Sequence, residues 1–319
     1  MALTKVTNSM LVQPVNHNLL INPSFTVFQR AGTTLSGDWG VDHDEESYGP
    51  DRWKVRGFDG TKGTMSESTV SVDPTTGTNK LVVKHLNATA FSYTCQRIEA
   101  VNLLGLFGKE MTLSFSYSDI GGSGVPLAQI GSYDSTNTLK IVFEAVPTSL
   151  GNNRWTCTFT LTTKDGTIPD PSEAGIQLAI YPNEENPAPI EWSVWETKLE
   201  VGSVATPFIA RPYGEELALC QRYYWKGDSV KSVQRYHGYD QHTGRGPKYV
   251  YFPVTMRASP TPTYSDLKFV NDSGSALGGS GVATGIHDTR IVVWVTNTGQ
   301  PSAGTFVSLS GSATLDAEL

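Results

Sequence analysis

Residues 111–118 read M-T-L-S-F-S-Y-S, and they decide the fold. Met111, Leu113, Phe115 and Tyr117 alternate with Thr112, Ser114, Ser116 and Ser118. This period of two puts every apolar side chain on one face of an extended chain and every hydroxyl on the other. Residues 155–162 repeat it, with Trp155, Cys157, Phe159 and Leu161 set against Thr156, Thr158, Thr160 and Thr162. Each stretch is a strand with one buried face, and two such faces must be covered by a second layer.

Working outward, further strands are expected at 80–86, 91–99, 139–146, 176–181 and 190–200. Turns such as G-G-S-G-V-P and Y-P-N-E-E-N-P-A-P divide them, a spacing that suits a sandwich of about eight to ten strands. Upstream, Leu20 to Phe28 is a strand-like run, 32–50 is a Gly- and Asp-rich loop, and Asp51 to Val55 opens the next strand. After Pro212 the period changes. Tyr213, Leu217, Cys220 and Tyr224 fall at i, i+4, i+7 and i+11, with Glu215 and Glu216 in the first turn and Arg222 near the end. That pattern predicts one short helix whose Leu217, Cys220 and Tyr224 face cements two domains. Residues 226–248 read as a polar loop, and strands resume at 249–256, 267–270, 290–296, 304–309 and 312–318. The expected fold is all-β: two jelly-roll-like β-sandwiches joined by a short helix. The boundaries are an arm at 1–15, a first domain at 16–212, and the helix with a second sandwich at 213–319.

The 319 residues suffice for two domains, each with its own core, since domains run to roughly 100–200 residues. A net charge of −7 argues against binding a phosphate backbone, which needs a basic face. No run reaches the ~18 apolar residues of a membrane span, so no membrane insertion is expected. The N-terminus lacks a signal-peptide pattern, and Cys95, Cys157 and Cys220 form no close pair. Folding in a cytoplasm is the expectation.

No motif assembles an active site, so no catalysis and no cofactor are expected. Gly105 stands too close to Gly108 and Lys109 for a phosphate-cradling loop, and the Gly-Ser-Gly triplets around Ser123 and Ser280 read as turns. Asp42, His43, Asp44, Glu45 and Glu46 offer hard oxygen ligands, but their spacing does not fit a calcium loop. His237 and His242, five apart, do not have zinc spacing, so no metal site is assigned. Glu184 and Glu191 could be set across a glycosidic bond only if the fold held them so. Among the aromatics, Trp53 and Trp155 are expected in the core. Trp192 and Trp195, an odd number apart, must point to opposite faces of one strand. Sugar rings stack on exposed aromatics beside hydrogen-bonding groups, so a glycan site is expected at the loop residues Trp39, Asp44 and Tyr48.

The segment S-V-A-T-P-F-I-A-R-P-Y-G-E-E-L-A-L-C-Q-R-Y-Y, 203–224, resembles a phrase of tailed-bacteriophage tail fibres and related virion proteins. N-L-L-I-N-P-S-F-T-V-F-Q-R with Y-G-P-D-R-W-K-V resembles the start of a carbohydrate-binding-module-like jelly roll carried by such proteins. M-A-L-T-K-V-T-N-S-M-L resembles the opening of phage tailspikes, and F-P-V-T-M-R-A-S-P-T-P-T-Y-S with A-T-L-D-A-E-L resembles their closing domain. The resemblance covers nearly the whole chain. It implies a non-enzymatic virion component: a homotrimeric fibre that mounts on other virion proteins through its arm and binds host-surface glycan. A capsid-decoration or head-fibre subunit without sugar binding is the alternative. A polysaccharide depolymerase stands behind both, because the chain has neither the length nor the repeats of a β-helix. Related cellular modules often carry a structural calcium near the first strand. The continuation F-T-V-F-Q-R departs from their pattern.

Overall fold

The computed structural model describes residues 18–30, 34–36, 47–59, 69–73, 79–85, 90–133, 138–162, 175–183, 190–227, 232–235, 247–270, 282–295 and 306–318. Among the described residues the fold is all-β with two short helices, and the chain divides into two compact units, 1–216 and 217–318. The arm at 1–15, Trp39, Asp44, the acidic run 42–46, Glu184, His237 and His242 lie outside the described residues.

Among the described residues the first unit holds thirteen strands. They are β1 (Thr34–Ser36), β2 (Ser47–Tyr48), β3 (Lys54–Asp59), β4 (Thr69–Asp73), β5 (Lys80–His85), β6 (Ala90–Ile98) and β7 (Glu110–Ile120). After these come β8 (Pro126–Tyr133), β9 (Leu139–Ala145), β10 (Thr148–Gly151), β11 (Arg154–Thr160), β12 (Gly175–Pro182) and β13 (Ile190–Val201). A one-turn helix α1 (Ala100–Leu103) follows β6. The strands form a seven-stranded sheet, β1-β4-β5-β13-β7-β11-β10, and a six-stranded sheet, β2-β3-β6-β12-β8-β9, with every pairing antiparallel.

The two sheets close on one core. Leu81, Val83, Leu113, Phe115, Tyr117, Trp192 and Val194 of the larger sheet meet Val55, Ile130, Ile176, Leu178 and Ile180 of the smaller. The alternation in M-T-L-S-F-S-Y-S is the cause: Met111, Leu113, Phe115 and Tyr117 are all buried inside. Trp53 is fully buried, Trp155 is half-buried against the core, and Trp192 is buried while Trp195 lies half-buried on the other face. These tryptophans stand where the sequence put them.

Leu20–Phe28 is not a strand. It is a series of turns in which Asn22 and Phe25 take left-handed conformations, with φ of 54° and 51°. Pro23 cannot donate to a ladder, and the buried Asn22 side chain supplies the bonds that a neighbouring strand would have made. Its Nδ2 donates to the carbonyls of Val27 (3.0 Å) and Asp51 (2.9 Å), and its Oδ1 accepts from the amides of Thr26 (2.8 Å) and Val27 (3.1 Å). Asp51 and Arg52 form a turn rather than a strand start, so β3 begins at Lys54. Strand β8 was not anticipated, because Ala128, Gly131 and Ser132 blur its alternation.

Among the described residues the second unit carries most of helix α2 (Tyr213–Gln221) and seven strands: β14 (Tyr224–Gly227), β15 (Ser232–Arg235), β16 (Pro247–Tyr251), β17 (Thr261–Val270), β18 (Val282–Ile286), β19 (Arg290–Val295) and β20 (Phe306–Asp316). β20 pairs β14 and β15 along one edge and β17 along the other, while β16-β19-β18 make a second sheet. The two strands expected at 304–309 and 312–318 are one continuous strand, and β14 and β15 extend into the stretch read as a loop. The helical stripe also needs correcting. α2 ends at Gln221, Tyr224 begins β14, Tyr213 is exposed, and Leu217 is half-buried. The buried positions are Glu216 and Cys220, with Tyr223 just beyond the helix. No helix among the described residues is long and apolar enough to cross a membrane.

Candidate functional site

The core-facing side of the six-stranded sheet is apolar, and its opposite face is built differently. In β6, Ser92 and Thr94 lie on the core side with Ile98, so Tyr93, Cys95 and Arg97 project away from it. In β12, Ile176, Leu178 and Ile180 face the core, which sends Gln177, Ala179 and Tyr181 to the same outer face. In β8 the outward set is Leu127, Gln129, Gly131 and Tyr133, because Ala128 and Ile130 point inward.

Register turns these separate phases into one surface. Tyr48 pairs with Lys54, Lys54 with Cys95, Cys95 with Ala179, Ala179 with Gln129 and Gln129 with Glu144. A single row therefore crosses all six strands. Flanking it are Arg97 opposite Gln177, and Tyr181 opposite Leu127. Tyr93, Cys95, Ala179 and Tyr181 form an apolar and aromatic cluster of their own on this face, with Leu127 against it.

The polar groups of the row are held in place. Gln129 Nε2 donates to Glu144 Oε2 at 2.6 Å and to the Tyr181 hydroxyl at 3.2 Å, and that hydroxyl donates to Glu144 Oε2 at 2.9 Å. Burial, with the hydrogen bond to Glu144 and its negative charge, pushes the Tyr181 phenol above its ordinary range. It stays a donor. Arg97 Nε donates to Gln177 Oε1 at 3.0 Å, and its guanidinium lies 4.9 Å from the centre of the Tyr133 ring. Glu144 is exposed, and Gln129 and Lys54 are half-buried, so the row meets solvent at the β9 end and again toward β3.

Of the residues singled out in the sequence, Tyr48 is brought to this row, at its β2 end. Arg30 lies over its ring at 3.8 Å and Lys54 at 4.9 Å, so the ring already carries two cations. Sequence reasoning missed Tyr93, Arg97, Gln129, Glu144, Gln177 and Tyr181. The signal lay in F-S-Y-T-C-Q-R-I and I-Q-L-A-I-Y, where the phase that faces away from the core carries Tyr93, Arg97, Gln177 and Tyr181 rather than small hydroxyls. Among the described residues no group of three His, Cys, Asp or Glu could hold a metal ion.

No known family's sequence model matches the chain, and no curated protein matches it. Solved structures do. The N-terminal cellulose-binding domain of a Cellulomonas fimi β-1,4-glucanase C is 19% identical with a TM-score of 0.31, over 49% of this chain and 93% of that one. The family 22 carbohydrate-binding module of Clostridium thermocellum Xyn10B is 11% identical with a TM-score of 0.32, over 49% and 89%. The enzymatically active domain of tailspike protein 4 of bacteriophage CBA120 is 11% identical with a TM-score of 0.32. That match spans 47% of this chain and only 19% of the tailspike. The structural neighbours are thus carbohydrate-binding modules and a phage tailspike domain.

Proposed function

We propose that the protein is a non-enzymatic virion component of a tailed phage, of tail-fibre type, whose first unit binds glycan on the outer face of the six-stranded sheet. The observation that carries the glycan reading is the register row from Tyr48 to Glu144. Its solvent-reaching ends, Tyr48 with Lys54 and Gln129 with Glu144, set a ring, donors and an acceptor on a rigid sheet, away from the core, on either side of the buried Tyr93, Cys95, Ala179 and Tyr181. Saccharides need that combination: apolar ring faces to stack and hydroxyls that both donate and accept. Within the row the carboxylate is Glu144, and its bonds to Gln129 and Tyr181 suit a positioning acceptor rather than half of an acid–base pair. Trp39 and Asp44, outside the described residues, stay in this reading as sequence-based candidates. The virion role, mounting through residues 1–15 and assembly as a homotrimer rest on the resemblance of the sequence segments.

A glycan array followed by calorimetry on the best hit tests the site. Gln129→Ala is expected to weaken binding about 10-fold, a loss of roughly 1.4 kcal/mol, and Trp39→Ala by a similar factor. An array with no hit would favour the decoration-subunit reading. Release of reducing ends from host polysaccharide would replace binding with depolymerisation. Light scattering that gives a stable particle at the 34.6 kDa chain mass would remove the trimer.

A further inference from the structure

The outer face of the seven-stranded sheet carries a second row, which the first site does not use. Arg154 of β11 and Trp195 of β13 both pair with Ser116 of β7, so their backbones flank that serine about 10 Å apart. Beyond Trp195, Lys80 of β5 places its ammonium 4.4 Å from the centre of the indole. The sequence along the row is Arg154, Ser116, Trp195, Lys80. It has two cations, one aromatic ring and a hydroxyl.

The cations are held without carboxylates. Arg154 Nη1 donates to the Glu196 carbonyl at 2.7 Å and to Ser116 Oγ at 3.4 Å, and Nη2 donates to Ser114 Oγ at 2.7 Å. Glu196 adopts a left-handed conformation, φ 52°, at the bulge between Trp195 and Lys198, where its carbonyl meets the guanidinium. Three of the five guanidinium N–H groups are thereby used, leaving one on Nε and one on Nη2. Among the described residues neither Arg154 nor Lys80 has a carboxylate within ion-pair distance. Burial lowers the Arg154 pKa, opposed by the charges of Glu196 and Glu200 at longer range. A partly desolvated cation satisfied only by neutral oxygens gains most from an incoming anion.

We propose that Arg154, Trp195 and Lys80 form a binding site for a carboxylate-bearing saccharide, separate from the row on the six-stranded sheet. The two remaining guanidinium donors take the carboxylate, Lys80 adds the second charge, and the indole supplies the surface for the sugar's apolar face. A chain of net charge −7 repels anions at long range, so affinity must come from these local contacts.

The test is a titration of the full chain, followed at the indole N–H resonance of Trp195, which is assigned from its loss in Trp195→Phe. The probes are methyl β-D-glucuronoside, methyl β-D-glucoside and sodium acetate. The glucuronoside is expected to bind about 10-fold more tightly than either of the others, which carry the ring and the charge alone. Lys80→Gln and Arg154→Gln are each expected to raise its Kd about 5-fold or more, while Gln129→Ala leaves it unchanged. Equal binding of the glucoside overturns the proposal, as does equal binding of acetate or a response insensitive to Lys80→Gln. If Arg154→Gln loses the fold, Lys80→Gln, whose ammonium lies over the indole face, decides the matter.

Discussion

Asn22 shows what the recognisable phrases of this sequence are for. The chain around it is irregular and buried, so each amide and carbonyl there needs a partner, and one side chain provides four of them. Its own amide donates to Glu216 at 2.5 Å, and Arg211 donates to Glu216 and to the Leu20 carbonyl. Trp53 Nε1 donates to the carbonyls of Ile21 and Asn22, and Asp51 accepts from both nitrogens of Gln29. N-L-L-I-N-P-S-F, P-D-R-W and A-R-P-Y-G-E-E are therefore three segments of one polar knot, far apart in sequence and closed in space. Residues this recognisable invite a ligand-binding reading, but here they are spent on the fold. Asn22→Ala would leave buried carbonyls and amides unpaired, at about 1–3 kcal/mol for each group that water cannot reach. The expected loss is roughly 3 kcal/mol or more, read from the urea midpoint of the first unit with its m-value unchanged. A loss under about 0.5 kcal/mol would mean that the loop reorganises around water.

At the scale of elements, periodicity read within a strand was reliable and everything between strands was hidden. Met111–Tyr117 and Trp155–Leu161 gave their buried faces directly, because alternation is a property of one extended segment. The row from Tyr48 to Glu144 was not legible, since it is made by strands whose adjacency no local pattern encodes: β2, β3, β6, β12, β8 and β9. Strand β8 vanished for a related reason. Gly131 packs under Leu139, where an added Cβ would lie 2.5 Å from that side chain's Cδ1, so the partner's bulk stands where its own would be. Gly175, at the start of β12, is fixed harder. With φ of +130°, a Cβ there would stand 1.9 Å from the Ile98 carbonyl oxygen. Gly175→Ala must push β12 away from β6, and thermal melting should show a loss of about 3 kcal/mol or more, well beyond an ordinary surface change. Strand β9, at the sheet's edge, carries a register shift opposite Ile130 and Gly131, with Lys140 beside it. Bulges and edge lysines discourage pairing with another chain. Lys140→Val removes one of these guards and should raise the apparent mass in concentration-dependent light scattering. An unchanged mass would assign the protection to the bulge alone.

The whole molecule has two compact units, and alkaline pH should act on the first. Burial pushes the Cys157 thiol up from 9.0 to about 12, and the Tyr181 phenol is raised above its ordinary 10.0. Both residues belong to the first unit. The sign follows from proton counts. Below about pH 9 the folded and unfolded chains both keep the thiol proton, so this group adds no pH dependence. From pH 9 towards 12 the unfolded chain releases the proton while the fold retains it, so the stabilisation present below pH 9 is progressively lost. The slope from one such group is at most about 1.4 kcal/mol per pH unit, and less where solvent screens it. Tyr181 adds a second contribution of the same sign from about pH 10 upward. Calorimetry between pH 8 and 11 should therefore move the transition of the first unit down. Cys157→Val should flatten the decline between pH 9 and 10, where Tyr181 contributes less than the thiol. Cys157→Val together with Tyr181→Phe should flatten it further. If the double variant falls as steeply as the parent, the alkaline loss does not come from these two buried protons.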